Sequence, residues 1–151
     1  MPITRASCPS TRPFTKSPTV LSLYRVTPAA LARYAGWASG IASFDRDHLF
    51  RHGIAPEDVT AETVRCTPLM TLLTETAMLD ADLLQIDAEG YDAAILQMID
   101  YSRFRPRLIK YEHKNMRADE RAVAVARLQE CGYRTVTEGP DTTAWQSRGR
   151  S

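Results

Sequence analysis

The chain has 151 residues, of which 44% are hydrophobic and 25% are charged, and its formal net charge at pH 7 is +1. This length and composition are typical of one soluble globular domain, and the small net charge argues against electrostatic binding of nucleic acid or of an acidic membrane. No apolar run reaches the ~18 residues that a membrane-spanning helix requires. The first twenty residues lack the apolar segment of a secretory signal.

The three cysteines, Cys8, Cys66 and Cys131, form no CxxC pair and are odd in number. This pattern fits a reducing compartment better than a disulfide framework. We interpret Cys66 and Cys131 as small buried hydrophobic residues. The sequence therefore predicts a cytoplasmic protein.

The first part of the chain divides into an irregular start and a loop-rich segment. Residues 1–20 are rich in Pro, Ser and Thr without periodicity and are predicted to be a flexible lead-in to a domain at 21–146, which a tail at 147–151 follows. A transit peptide has a similar bias, but the amphipathic helical pattern is absent. Residues 21–26 (LSLYRV) predict a strand. Residues 27–59 mix short helical turns with Gly and Pro and predict a binding surface.

The middle of the chain predicts a strand, a helix and a second strand. Residues 64–66 are a short strand candidate, followed by Thr67 as N-cap and Pro68 as first residue of a helix that ends near Thr76. Residues 83–87 (LLQID) have the apolar character of a buried parallel strand.

The last part of the chain predicts alternating helices and strands. Apolar residues from Tyr91 to Ile99 recur at helical spacing. A strand at 107–113, a helix at 118–131 that Gly132 ends, and a hairpin around the sequence EGPD follow. Such alternation predicts an α/β fold with a parallel sheet.

Four polar residues follow the apolar strands of this predicted sheet. Asp87 and Glu89 come at the end of one strand, and Glu112 and His113 come at the end of the next. Because ligands bind outside the carboxyl ends of parallel strands, we expect these side chains to converge for hydroxyl recognition, proton removal or metal binding. The alternative is that Asp87 or Asp92 only caps the following helix.

Three stretches resemble the C-terminal half of the FkbM-type S-adenosylmethionine-dependent methyltransferases: LLQIDAEGYDAAIL, RPRLIKYEH and the late GYRT with DTTAW. The family's hallmark is an apolar strand ending in Ile-Asp-x-Glu-Gly, which Ile86, Asp87, Glu89 and Gly90 match, and a following strand that ends in a glutamate. Upstream, LYRV and WASGIASFDRDHL also look like this family. The resemblance implies a Rossmann-like class I methyltransferase sheet, here its strands 4 to 7 with flanking helices and a C-terminal hairpin. It also implies S-adenosylmethionine as cofactor and O-methylation of a small molecule or sugar.

The resemblance also assigns roles to particular residues. The implied catalytic residues are Asp87, Glu89 and Glu112, with His113 as a secondary base. Apart from the resemblance, Ser43, Asp45 and Arg46 in SFDRDH are candidates to hydrogen-bond a substrate, with a plain surface position as the alternative, and His48 is a candidate for the same substrate loop or for a polar surface. His48 and His52 have the i, i+4 spacing of zinc ligands, but no third ligand is evident in the sequence, so no metal site is predicted.

One departure from the family qualifies the expected activity. Such methyltransferases carry a Gly-rich loop after the first strand and an acidic residue at the end of the second, and neither is found here. We therefore expect the chain to correspond to the C-terminal portion of the family's domain. In that case strand 83–87 has an exposed edge, and we expect the N-terminal tail, a second copy or another chain to cover it. The alternative function is a non-catalytic half-domain that acts as an assembly or interaction module, or a gene remnant.

Overall fold

The computed structural model describes residues 19–146, which form an α/β structure with two β-sheets. The strands are β1 (Thr19–Val26), β2 (Ala42–Ser43), β3 (Val59–Cys66), β4 (Leu83–Ile86), β5 (Leu108–Glu112), β6 (Tyr133–Glu138) and β7 (Asp141–Gln146). The α-helices are α1 (Arg46–Arg51), α2 (Leu69–Glu75), α3 (Asp92–Met98) and α4 (Ala118–Glu130), and short 3-10 helices span Pro28–Arg33, Gly36–Ser39 and Pro56–Asp58. The predicted tail at 147–151 and residues 1–18 of the predicted lead-in lie outside the described residues.

The first sheet has the strand order β2-β1-β3 and is antiparallel throughout. The strand predicted at 21–26 is confirmed and begins two residues earlier. Its partner β3 is much longer than the predicted strand at 64–66, since it pairs with β1 from Thr19↔Cys66 to Val26↔Val59. The start of β3 is polar, and only pairing with β1 reveals it as a strand.

The second sheet has the strand order β4-β5-β7-β6. Strands β4 and β5 are parallel, as predicted, whereas β7 is antiparallel to both β5 and β6. The predicted hairpin is confirmed as β6 and β7. Its turn contains Gly139 with a φ of 55°, a left-handed conformation that glycine adopts without steric cost.

Strand β4 is an edge strand, and the prediction that it is buried is wrong for most of its length. Leu83 is 52% exposed, Gln85 is also exposed, and only Ile86 is fully buried. The physical reason is its place in the sheet, because no strand within residues 19–146 pairs with its outer side. The apolar composition of the strand thus does not reflect burial in the described part of the chain.

The predicted helices are confirmed with small changes at their ends. Helix α2 begins at Leu69, with Pro68 in the N-cap position that was predicted for Thr67. Helix α4 ends at Glu130 and is followed by Gly132, whose φ of 84° stops the helix.

Each sheet contributes to its own hydrophobic core. The core under the second sheet is the larger and includes Leu96, Ile109 and Leu128, and the core beside the first sheet includes Leu49 and Ile54. A cleft opens where the loop-rich segment 27–59 meets the carboxyl ends of β4 and β5. The fold therefore places the candidate site between two packed units.

The cysteines differ from one another in state. Cys66 is a free, partly buried thiol. Cys131 is buried, as predicted, but it is disulfide-bonded, so the expectation of reduced cysteines throughout is wrong for this residue. No helix within residues 19–146 is long and apolar enough to cross a membrane.

Candidate functional site

The turn after β4 carries the main polar groups of the site in an unusual backbone conformation. Glu89 has a φ of 46° and Gly90 has a φ of 94°, so two consecutive residues are left-handed. For a residue with a Cβ this conformation costs about 1–2 kcal/mol. The main chain closes the turn with a 3.0 Å hydrogen bond from Tyr91 N to Ala88 O. Such strain persists only where neighbouring contacts hold it, and it is common at functional sites.

The predicted convergence of the strand-end carboxylates is confirmed. Asp87, Glu89 and Glu112 each bring one carboxylate oxygen within 4.8 Å of the others. We call these three residues the carboxylate cluster. They line a cleft of about 500 Å³, a size that is ordinary for small-molecule sites. The other lining residues are Trp37, Gly40, Ile41, His52, Lys114 and Asn115.

The surroundings of Glu112 favour the protonated form of its carboxyl group. Burial raises its pKa, the neighbouring charge of Asp87 raises it further, and the ammonium group of Lys114 opposes both. One carboxylate oxygen, Oε2, accepts a 2.6 Å hydrogen bond from Asn115 Nδ2. The carboxyl group is therefore oriented and is a stronger base than an exposed glutamate.

Two residues of the predicted substrate loop contact the turn that carries Glu89. Ser43 is buried, and its hydroxyl donates a 2.8 Å hydrogen bond to the carbonyl oxygen of Glu89. His48 is 0% exposed, and its Nε2 lies 3.0 Å from Oε2 of Glu89. Burial lowers the pKa of His48 and nearby His52 adds to this, whereas Glu89 opposes it. Polar contacts of Ser43 and His48 thus connect the loop-rich segment to the turn after β4.

None of the four residues predicted to bind substrate lines the cleft, and Asp45 and Arg46 make their contacts within and beside α1. Asp45 caps α1 by accepting a 3.0 Å hydrogen bond from Asp47 N, and it pairs with Arg51 at 2.8 Å. Arg46 lies over the ring of Phe50, with 5.2 Å from its guanidinium carbon to the ring centroid. These contacts give both residues a part in stabilising α1.

His113 lies away from the carboxylate cluster. It is buried, its Nδ1 lies 3.0 Å from the hydroxyl oxygen of Thr142 in β7, and it does not line the cleft. The structure therefore brings together three of the four residues predicted to be catalytic.

The alternative that Asp87 or Asp92 caps α3 is wrong. Tyr91 occupies the N-cap position, and no side-chain hydrogen bond caps the helix. Asp92 is instead fully buried in the first turn, where its Oδ2 accepts a 3.3 Å hydrogen bond from Ala88 N. Its role is to stabilise the turn that presents Glu89.

The sequence did not single out Trp37, Lys114 or Asn115 as cleft residues. Lys114 and Asn115 directly follow the strand end at Glu112 and His113, so their position could have indicated them. Trp37 lies in the loop-rich segment, where no periodic pattern fixes the direction of a side chain. Only the packing of that segment beside the second sheet brings it to the cleft.

Comparison with known proteins supports the resemblance. The model of the methyltransferase FkbM domain matches residues 23–135, well over half of the chain. Neither the curated proteins nor the solved structures include a match. The match begins within β1 and ends within β6, and it covers β2 through β5, α1 through α4 and the whole carboxylate cluster. The chain therefore belongs to the FkbM methyltransferase domain family.

Proposed function

We propose that the cleft binds a hydroxyl group of a small molecule or sugar and that the carboxylate cluster promotes its O-methylation. The observation that carries this proposal is the convergence of three carboxylates within 4.8 Å at the ends of neighbouring parallel strands. A hydroxyl oxygen becomes a good nucleophile only when a base removes its proton. A cleft with several carboxylates and few cations supplies such a base.

Glu112 is the base that the geometry favours. Its raised pKa moves the group toward neutral pH, where a carboxylate removes protons more effectively. Asn115 occupies Oε2, so Oε1 is available to the acceptor hydroxyl. Asp87 and Glu89 then bind further hydroxyl groups of the acceptor, and a sugar offers several of these.

The charges that line the cleft support binding of the positively charged end of S-adenosylmethionine. S-adenosylmethionine supplies the methyl group from a positively charged sulfonium centre, and its methionine end also carries an ammonium group. The carboxylate cluster suits these positive charges, with Lys114 as the one lysine or arginine among the lining residues. No glycine-rich loop follows a strand within residues 19–146, so the described residues form no cradle of that kind for the adenosine end.

The experiment combines cofactor binding with methyl transfer. The full chain is titrated calorimetrically with S-adenosylmethionine and then incubated with methyl-labelled cofactor and a panel of sugars and small hydroxylated compounds. The proposal predicts transfer to at least one acceptor and a loss of about 100-fold or more in Glu112→Gln. Glu130→Gln, which changes an exposed glutamate at the end of α4, is the control and should retain full activity. Unchanged transfer by Glu112→Gln would refute its role as base.

A second candidate function, a non-catalytic interaction module, is favoured by the β4 edge. That edge is unpaired among residues 19–146, and Leu83 on this strand is 52% exposed. Unpaired edges bind further strands by main-chain hydrogen bonding. Absence of both cofactor binding and methyl transfer, together with self-association of the chain, would favour this function over the first.

A further inference from the structure

Two histidines and one glutamate meet at the edge of the cleft. His48 lies in α1, His52 directly follows that helix, and Glu89 lies in the turn after β4. One nitrogen or oxygen atom from each residue lies within 4.8 Å of the others. The two imidazole rings are 4.6 Å apart between centroids and are inclined at 42°. We call these three residues the histidine–glutamate cluster.

The protein holds two of the three side chains in place. His48 is fully buried, and the left-handed turn fixes the direction of Glu89. The hydroxyl of Ser43 holds the Glu89 carbonyl at 2.8 Å. His52 is partly buried and lines the cleft, so its side chain has room to adjust. Ligands that are positioned in advance bind an ion at a lower entropic cost.

The buried ring of His48 carries a nitrogen that is not hydrogen-bonded. Nδ1 has no hydrogen-bond partner among the described residues, whereas buried polar atoms are normally paired. A neutral imidazole carries its proton on either nitrogen. The 3.0 Å contact between Nε2 and Glu89 Oε2 is a hydrogen bond, so a proton lies between these two atoms. A metal ion that binds here displaces this proton, and the unpaired Nδ1 can carry the ring proton of the neutral imidazole that remains.

The donor atoms of this cluster select a particular class of ion. Two imidazole nitrogens and one carboxylate oxygen suit Zn²⁺ and its neighbours Co²⁺ and Ni²⁺, whereas Mg²⁺ and Ca²⁺ prefer oxygen ligands alone. Atoms that bind zinc at about 2.0–2.2 Å lie about 3.3–3.6 Å apart in a tetrahedral site. His48 Nε2 and Glu89 Oε2 are 3.0 Å apart, so a shift of a few tenths of an ångström brings them to this separation.

We propose that the histidine–glutamate cluster binds one divalent transition-metal ion of the zinc class. Three protein ligands leave a coordination position open, which is the pattern of catalytic rather than structural zinc sites. That position faces the cleft, because His52 and Glu89 both line it. The site goes beyond the proposed O-methylation and does not depend on it, since ion binding is measurable without an acceptor.

The carboxylate cluster is the competing location for a cation. It shares Glu89 with the histidine–glutamate cluster, but its ligand atoms are all oxygens. A zinc-class ion at the histidine–glutamate cluster needs the two histidines. A magnesium-class ion at the carboxylate cluster needs Asp87 and Glu112. Substitutions that separate these residues therefore distinguish the two locations.

The test uses the full 151-residue chain without an affinity tag. Calorimetric titration with Zn²⁺ should show one ion per chain, and Co²⁺ should give the visible absorption bands of a four- or five-coordinate site. His52→Ala and Glu89→Gln should each weaken Zn²⁺ binding by about 10-fold or more. Cys66→Ser, which alters a free thiol outside the cluster, should leave the affinity unchanged, and Asp87→Asn should weaken it less than His52→Ala does.

Three results would overturn the proposal. Absence of Zn²⁺ binding by the folded chain is the first. The second is loss of Zn²⁺ binding in Cys66→Ser, or loss in Asp87→Asn while His52→Ala binds normally, because either result would place the ion elsewhere. Mg²⁺ that displaces Zn²⁺ at similar concentration would indicate an all-oxygen site. Circular dichroism of each variant without metal confirms that the loss concerns binding and not folding.

Discussion

The imidazole Nε2 of His48 and the carboxylate Oε2 of Glu89 lie 3.0 Å apart, although 41 residues separate them in the chain. His48 is 0% exposed and the Glu89 side chain is 34% exposed, so the contact runs from the interior to the cleft. It joins the loop-rich segment 27–59 to the end of β4. The two walls of the cleft are therefore tied together at the residue that belongs to both polar clusters.

Ser43→Ala should destabilise the protein by about 1–3 kcal/mol, because it removes a buried hydroxyl that bonds two part-buried main-chain groups. The hydroxyl of Ser43 donates to Glu89 O at 2.8 Å and accepts from Asp45 N at 3.1 Å. Ser39→Ala is the matched control, since that hydroxyl makes a 2.8 Å hydrogen bond to Gly36 O at an exposed position. Chemical denaturation measures both variants, and equal losses would contradict the structural role of Ser43.

Gly90→Ala should destabilise the protein by about 1–2 kcal/mol through backbone strain. The φ of Gly90 is 94°, whereas the atoms closest to an added Cβ, including His48 Nδ1 at 3.7 Å, are at ordinary contact distance. The cost is therefore conformational and not steric. Gly36→Ala, at a position with no atom within 4 Å and no left-handed φ, is the control and should be close to neutral. A neutral Gly90→Ala would show that the turn relaxes.

The sequence predicted those parts of the fold that local patterns encode. Helix α4, the parallel pair β4 and β5, and the final hairpin follow from helical spacing, apolar runs and turn residues. The polar start of β3 was missed because its strand character comes from pairing with β1. The edge position of strand 83–87 was expected from the absent N-terminal strands, whereas its apolar composition alone predicted burial, because an apolar run has the same pattern at an edge as in the middle of a sheet.

The candidate site was predictable to a similar degree. Two strands that end in acids on a parallel sheet must bring Asp87 and Glu112 together, and the structure confirms this. Contacts between residues that are far apart in the chain could not be predicted from the sequence. The i, i+4 spacing of His48 and His52 was visible, but Glu89, the third group of the histidine–glutamate cluster, comes from a distant turn. Its approach depends on how the two cores pack.

Asp92→Asn should change the pH dependence of stability. Burial raises the pKa of Asp92, with Asp87 adding to the shift and the amide of Ala88 opposing it. Between the unfolded value of about 3.9 and this raised value the folded state binds more protons, so stability falls as pH rises. The Asn variant does not ionise at this position. Its stability relative to the parent should therefore increase with pH in that window and then level off, as measured by denaturant unfolding.

Asp100→Asn provides a control of opposite sign. The hydrogen bond from the Ser102 hydroxyl lowers the pKa of Asp100 in the folded state. The ionised Asp100 therefore stabilises the fold above the pKa of the unfolded state, and this stabilisation is lost as the pH falls through the pKa of the folded state. The stability of this variant relative to the parent should decrease as pH rises. Parallel curves for the two variants would contradict the assignment of the Asp92 shift to burial.

Leu83→Lys should reduce self-association of the chain. Leu83 is 52% exposed on β4, whose outer edge no strand within residues 19–146 covers, and a lysine on an edge strand opposes pairing with another strand. Val136→Lys is the matched control, because Val136 is 41% exposed on β6, which forms the opposite edge of the same sheet. Strand β6 already carries charge at Arg134 and Glu138. Light scattering coupled to size exclusion measures the mass of each variant. A parent chain that is monomeric at all concentrations, or equal effects of the two substitutions, would show that the β4 edge has no special part in association.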